Sequence, residues 1–227
     1  MPFYVSPEQV MKDRADYARK GIARGRSLVA LEYTDGIAIV AENPSGTLYK
    51  ISEIYDRIAF AGVGKYNEFE MLKIAGVRHA DVRGYSYSRE DVTARALANA
   101  YAQTLGQVFT HEMKPYEIEI LVAQVSETAG EPNELFHILY DGTVMDEHSF
   151  TVLGGQADAI AEHLQEAYGA GLDLAGAISL GTAALGSPDS RTLAAGALEV
   201  AILDRHQTRR RFRRLENDEV TALLPAI

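Results

Sequence analysis

Nine residues near the front of the chain, Tyr17-Ala18-Arg19-Lys20-Gly21-Ile22-Ala23-Arg24-Gly25, stand one residue ahead of the apolar run Ser27-Leu28-Val29-Ala30-Leu31-Glu32-Tyr33, and their order decides the fold. The first stretch reads as the end of a helix and the second as a strand. The strand runs into Thr34-Asp35-Gly36 and a second apolar run, Ile37 to Ala41. An Asp-Gly step between two such runs is a hairpin signal, because Gly accepts a positive φ. Upstream, Ser6-Pro7-Glu8-Gln9 has the form of a helix start: a hydroxyl cap, Pro at the first helical position and Gln three residues after Ser to close a capping box. The chain therefore opens with a helix, roughly residues 6–25, laid ahead of a tight hairpin.

Working outward, Leu48–Ile51 and Arg57–Val63 read as further strands. Tyr66–Arg83 and Ser88–His111 read as two long helices, the second started by Ser88-Arg89-Glu90-Asp91. Leu97, Tyr101, Leu105 and Phe109 recur every fourth residue, which makes one stripe of that helix a core face. Beyond Pro115, Glu117–Val125 is a mostly buried strand, and Leu135–Tyr140 meets a second Asp-Gly step before continuing as Val144–Leu153. Two more helices follow, 157–168 and 172–185, then a core strand Leu198–Leu203, an edge strand Arg209–Leu215 and a short helix 218–224. Clustered strands separated by helix pairs predict an α+β layered domain over residues 1–227, because each helix pair needs a sheet face to cover.

The net charge of −10 speaks against a nucleic-acid partner. The absence of cysteine excludes disulfides, thiolate metal sites and a cysteine nucleophile. Met1 to Pro7 lacks the basic and apolar regions of a signal peptide, and no run of apolar residues is long enough to span a membrane, so a cytoplasmic location is expected. A serine-hydrolase elbow of the Gly-x-Ser-x-Gly form does not occur. The six histidines show no metal-binding spacing, and Gly62-Val63-Gly64-Lys65 lacks the spacing of a phosphate loop. Asp13 with Asp16, and Asp146 with Glu147, read as solvated side chains. Arg209-Arg210-Arg211-Phe212-Arg213-Arg214 reads as a charged edge, its single aromatic making a nucleic-acid groove unsuitable.

Taken together, Ser6-Pro7-Glu8, the Tyr-Ala-Arg of the first helix, the hairpin, Leu48-Tyr49-Lys50-Ile51, the paired long helices and Leu198-Glu199-Val200-Ala201-Ile202 resemble the α-type subunits of the proteasome core particle, most closely the actinobacterial kind. The chain departs from the archaeal pattern in lacking a Tyr-Asp-Arg start and in one extra residue between Pro7 and Tyr17. The resemblance implies a four-layer αββα sandwich of the N-terminal nucleophile hydrolase type with an extra N-terminal helix. It implies a homo-heptameric ring that stacks on rings of β subunits and has no catalytic residue, cofactor or metal of its own. It further implies a gate made by Met1, Pro2, Phe3, Tyr4 and Val5, hinged at Ser6 and Pro7, with Tyr17 beside it. Lys50 is the residue that matches the lysine receiving the C-terminal carboxylate of an activator, and a ring-shaped ATPase and tagged protein substrates are the expected partners, with no nucleic acid and no membrane.

In catalytic β-type relatives a threonine freed at the N-terminus begins the first strand. Here that position, near Ser27, is internal, and Gly46-Thr47, Gly142-Thr143 and Gly181-Thr182 lie within a turn, a hairpin and a helix. The rival reading is an active N-terminal nucleophile hydrolase in which Ser27 or one of these threonines is unmasked by processing. A second rival is an unrelated α+β binding protein.

Overall fold

The computed structural model describes residues 6–128 and 130–225, so the expected gate residues Met1 to Val5 lie outside the described residues. Helix α1, Pro7–Ile22, begins as its sequence requires: the Ser6 hydroxyl accepts from the Gln9 N–H at 3.2 Å and Pro7 occupies the first turn. Only half of the expected capping box forms, because the Gln9 amide turns forward to Asp13 at 2.7 Å. Strands β1 (Leu28–Tyr33) and β2 (Gly36–Glu42) pair antiparallel from Leu28↔Ala41 to Tyr33↔Gly36, leaving Thr34-Asp35 as the two-residue turn. The hairpin is as expected, but its glycine has a different task. Gly36 is not among the residues of positive φ; a Cβ on it would stand 1.8 Å from the carbonyl oxygen of Leu203 on the adjoining strand. Close approach of a third strand, rather than turn geometry, is what demands glycine there.

That third strand is β9 (Leu198–Asp204), and the first sheet runs β10-β9-β2-β1-β8, with β10 at Phe212–Arg214 and β8 at Phe150–Leu153. The second sheet runs β3-β4-β5-β6-β7, from Ile51–Tyr55, Ile58–Gly64, Ile118–Gln124, Glu134–Ile138 and Val144–Glu147. Small and branched side chains fill the seam between them: Leu28, Ala30, Ile37, Ile39 and Ala201 from the first sheet meet Ala59, Ala61, Leu121, Ala123 and Leu135 from the second. On the outer face of the second sheet lie α2 (Tyr66–Ser86) and α3 (Ala94–His111), which bury Phe69, Leu72, Leu97, Tyr101 and Leu105 against Phe60, Ile120 and Val122. The first sheet is covered by α4 (Ala157–Ala167), α5 (Leu174–Gly186) and α6 (Asn217–Leu223). The result is the expected αββα sandwich.

Four boundaries and one packing partner differ from expectation. The predicted strand Val144–Leu153 is two strands in two sheets: Ser149 adopts φ 71, and its N–H donates to the Glu32 carboxylate at 3.0 Å while its carbonyl accepts from Glu32 N–H at 2.7 Å, so the chain crosses from one layer to the other. Ser88 caps only a 3-10 turn, Arg89–Asp91; α3 starts later, where the Thr93 hydroxyl accepts from Ala96 N–H at 3.2 Å. β3 begins at Ile51, with Leu48 to Lys50 in the preceding loop, and the basic run contributes only Phe212–Arg214 to a strand. Phe109, the last member of the expected stripe, leaves the α3 core and packs tilted against Tyr140 at the seam, 5.6 Å between ring centres.

Replacing Gly36 by Ala is expected to lower stability by about 1–3 kcal/mol, since main chain, not a flexible side chain, opposes the new methyl group. Urea unfolding of the purified chain reads this; an unchanged midpoint would mean that β9 does not approach β2 so closely.

Candidate functional site

The head of β1 is where a nucleophile would stand, and the chain closes it. Ser27 is buried at 7% exposure, and its hydroxyl abuts the end of β8: a Cβ on Gly154 would lie 2.7 Å from it. Helix α1 lies over this end of the seam, where Ala18 and Ile22 join the inter-sheet core. The Arg14 guanidinium caps the C-terminus of α3 by donating to the carbonyls of Phe109 and Glu112. Lys114 sits 5.7 Å from the Tyr17 ring and Arg19 lies 5.8 Å from that of Tyr140. The buried His137 is committed to Glu119 at 3.3 Å rather than to Ser27. Thr47 lies in an exposed loop, Thr143 in the β6–β7 turn with its N–H on Asp141 at 2.9 Å, and Thr182 inside α5. No triad or free strand-head nucleophile is assembled among the described residues, and no group of three or more His, Asp or Glu suited to a metal occurs there.

Ser6 and Pro7 cap and open α1, and Tyr17 lies ten residues further along it. At 1.5 Å per residue the helix holds Pro7 and Tyr17 about 15 Å apart, so one chain does not bring them together. Tyr17 remains about half exposed.

Lys50 is placed by a buried carboxylate that sequence reading passed over. Glu199 projects from β9 and accepts from the Lys50 N–H at 2.8 Å, the Ile51 N–H at 3.0 Å and the Asn43 side chain at 2.8 Å, so one carboxylate fixes both ends of the loop ahead of β3. Arg214 pairs with the same carboxylate, donates to the Ile51 carbonyl at 2.6 Å and lies 4.1 Å from the centre of the Tyr49 ring. A second buried carboxylate, Glu42, is gripped by Arg191 at 2.9 and 3.1 Å and by Arg26. The hydrogen bond from Arg191, with the charge of Arg26, holds the Glu42 carboxyl below the usual range against the opposing effect of burial. The Lys50 ammonium donates to the Arg26 carbonyl at 2.6 Å. Burial pulls its pKa down to about 8, and the nearby Glu199 and Glu42 offset only part of that. Both carboxylates are already engaged by arginines, so the half-buried ammonium keeps donors for an anion from outside. A lone acid inside Leu198-Glu199-Val200-Ala201-Ile202 was the available signal for Glu199, since a charge in a buried strand needs partners.

One further feature escaped the sequence reading. Met71, Ile74, Val82 and Tyr85 stand on the outward side of α2, 42–94% exposed, opposite the buried Phe69 and Leu72. Apolar residues on both sides of one helix leave an exposed apolar stripe on its outer side.

A proteasome-subunit family model matches residues 22–203, which takes in the second sheet, the first sheet apart from β10 and the last residue of β9, and helices α2 to α5. The chain belongs to the proteasome subunit family. Similar relatives are the proteasome subunit alpha of Kineococcus radiotolerans, 60% identical over 98% of this chain and 97% of the relative, and that of Acidimicrobium ferrooxidans, 61% identical over 99% and 96%. The proteasome subunit alpha of Saccharopolyspora erythraea is 56% identical over 100% of this chain and 89% of its own. Within the proteasome family this chain thus groups with α subunits, and no helix of the described residues is long and apolar enough to cross a membrane.

Because Glu199 serves several partners at once, Glu199→Ala is expected to cost about 3–5 kcal/mol, the range for stranding one half of a buried charge pair. The unfolding temperature should fall by roughly 10 °C. A shift within about 2 °C would show that Glu199 does not organise the Lys50 loop.

Proposed function

We propose that the chain is a non-catalytic α subunit that forms the outer homo-heptameric ring of a cytoplasmic proteasome core particle, seated on rings of threonine-type β subunits. The observation that carries this reading is that Ser27, just ahead of β1, is internal and buried, with α1 packed into the inter-sheet core through Ala18 and Ile22. The apolar outer side of α2 supports a stacked partner. The described residues work as one unit behind a gate formed by Met1 to Val5 and hinged at Ser6 and Pro7, with Tyr17 beside it. That role rests on their position directly ahead of α1.

In this reading Lys50 receives the C-terminal carboxylate of an activator, a ring-shaped ATPase among them, that feeds tagged protein substrates to the pore. A charge-assisted hydrogen bond contributes about 1.5–3 kcal/mol, so one docked tail is weak and several docked on one ring act together. The alternative, a hydrolase unmasked by processing, requires a chain cleaved at Ser27 or at an internal threonine. An intact N-terminus in the assembled particle, read by mass spectrometry, excludes it.

Lys50→Ala is expected to abolish stimulation by an activator while the ring still assembles; unchanged stimulation would remove Lys50 from the site. The pH dependence has a definite sign. An activator carboxylate pairs with the charged ammonium, so docking is strongest well below pH 8 and weakens as pH rises through the depressed pKa of about 8, by up to about tenfold per unit. Stimulation that stays flat between about pH 7 and pH 9 would contradict this.

Deletion of residues 1–5 is expected to raise peptide hydrolysis by the complete particle severalfold without changing its native mass. If hydrolysis by the truncated particle equals that of the full chain, these residues are not the gate.

A further inference from the structure

Positive and negative charge are segregated along this chain. No Lys or Arg occurs between Lys114 and Arg191, whereas residues 205–214 hold six Arg and no acid. The fold carries part of each stretch to opposite edges, while Glu127 from the first stretch crosses to pair with Arg57 and Arg211. One edge of the sandwich is β10 with β3, tied by Arg210 to Glu53 at 2.6 Å. The other is β8 with β7, consecutive in sequence across the His148-Ser149 crossing. Four strand spacings of about 4.8 Å separate the two edges by about 19 Å.

At the arginine edge, Arg209 is exposed and has no ion pair among the described residues. Arg210 and Arg213 are paired within the chain, to Glu53 and Glu219, yet stay 71% and 46% exposed. At the acidic edge, Asp146 is exposed on β7 beside Glu147, and α4, which lies over β8, exposes Asp158, Glu162 and Glu166 with no Lys or Arg of its own. Among the described residues, Arg95 is the arginine that bridges to this edge, on Glu134 at 3.3 Å and Asp146 at 3.8 Å.

We propose that the arginine edge around Arg209 and Arg210 docks on the acidic edge around Asp146 and Glu147 of a second copy of this chain. The proposal rests on the ring reading given above and names the surface that closes the ring. Complementary charges on opposite edges of one body make a head-to-tail contact: each copy gives one edge and receives the other, and such contacts form rings when the rotation closes. Like charges facing each other oppose every other edge pairing, which fixes the direction of the ring. The competing account is that these charges only keep edge strands from pairing, in which case reversing their sign is harmless.

The test is a charge swap in the chain co-produced with its β partner, read by native mass spectrometry at low and high salt. R209E/R210E and D146R/E147R are each expected to lower the ring fraction about tenfold, since each places like charges across the contact. The chain carrying all four substitutions should regain rings, which also rules out misfolding as the cause of the single-edge losses. Rings from R209E/R210E at the wild-type level overturn the edge contact and leave the ring reading standing. Loss in both single-edge variants without recovery in the fourfold chain overturns it too. If the unaltered chain forms no ring with its β partner, the ring reading and the edge contact fall together.

Discussion

Everything in this molecule depends on the apolar seam between two five-stranded sheets. Alanines and branched residues allow the two inner faces to approach closely, and most of their side chains are fully excluded from solvent. A seam between two open sheets has ends, however, and an end is where water enters and where a reactive group can be both held and reached. In this chain α1 contributes Ala18 and Ile22 to that end, and Arg14 and Tyr17 tie the helix to the C-terminal side of α3. The same physical need, to finish the core, leaves Ser27 internal and buried. A helix that were merely a surface addition would contribute no buried residues to the seam.

The second constraint is the cost of charge in a buried place. Glu42 and Glu199 sit at or near the end of the first sheet, each 5–6% exposed, and a carboxylate buried there needs hydrogen-bonding partners. Their arginines come from distant parts of the chain: Arg191 from the loop after α5, Arg214 from β10, Arg26 from the α1–β1 junction. These pairings define which loop lies where, so the geometry around Lys50 follows from satisfying two carboxylates. That is a better account of its placement than strand propensity, which put Leu48 to Ile51 in a strand.

The layers were readable in the sequence because helix-period and strand-period runs alternate in blocks, and the hairpins were readable from their Asp-Gly steps. The crossing at Ser149 was not, since Val144 to Leu153 reads as one unbroken strand and nothing local reports that Glu32, over a hundred residues earlier, holds both hydrogen-bonding groups of Ser149. The late start of α3 was hidden for a related reason: Ser88 and Thr93 are both competent caps, and which one starts the long helix depends on Val92 being buried between them. Lys50 could be singled out only through resemblance. Its partners are long-range, with Glu199 lying 149 residues away.

The attachment of Lys50 has a consequence for any anion that docks there. Its ammonium donates to the carbonyl of Arg26, which lies between the end of α1 and the start of β1. An ammonium has three donors, so it can accept an external carboxylate without releasing that carbonyl. The bound anion is then connected through one side chain to the segment that carries α1 onto the sheet. Arg26 reinforces the link, for its guanidinium is held by Glu42 while its main chain is held by Lys50. On the reading in which Lys50 receives a carboxylate, charge brought to this cluster meets the junction behind the N-terminal helix through hydrogen bonds that exist before docking.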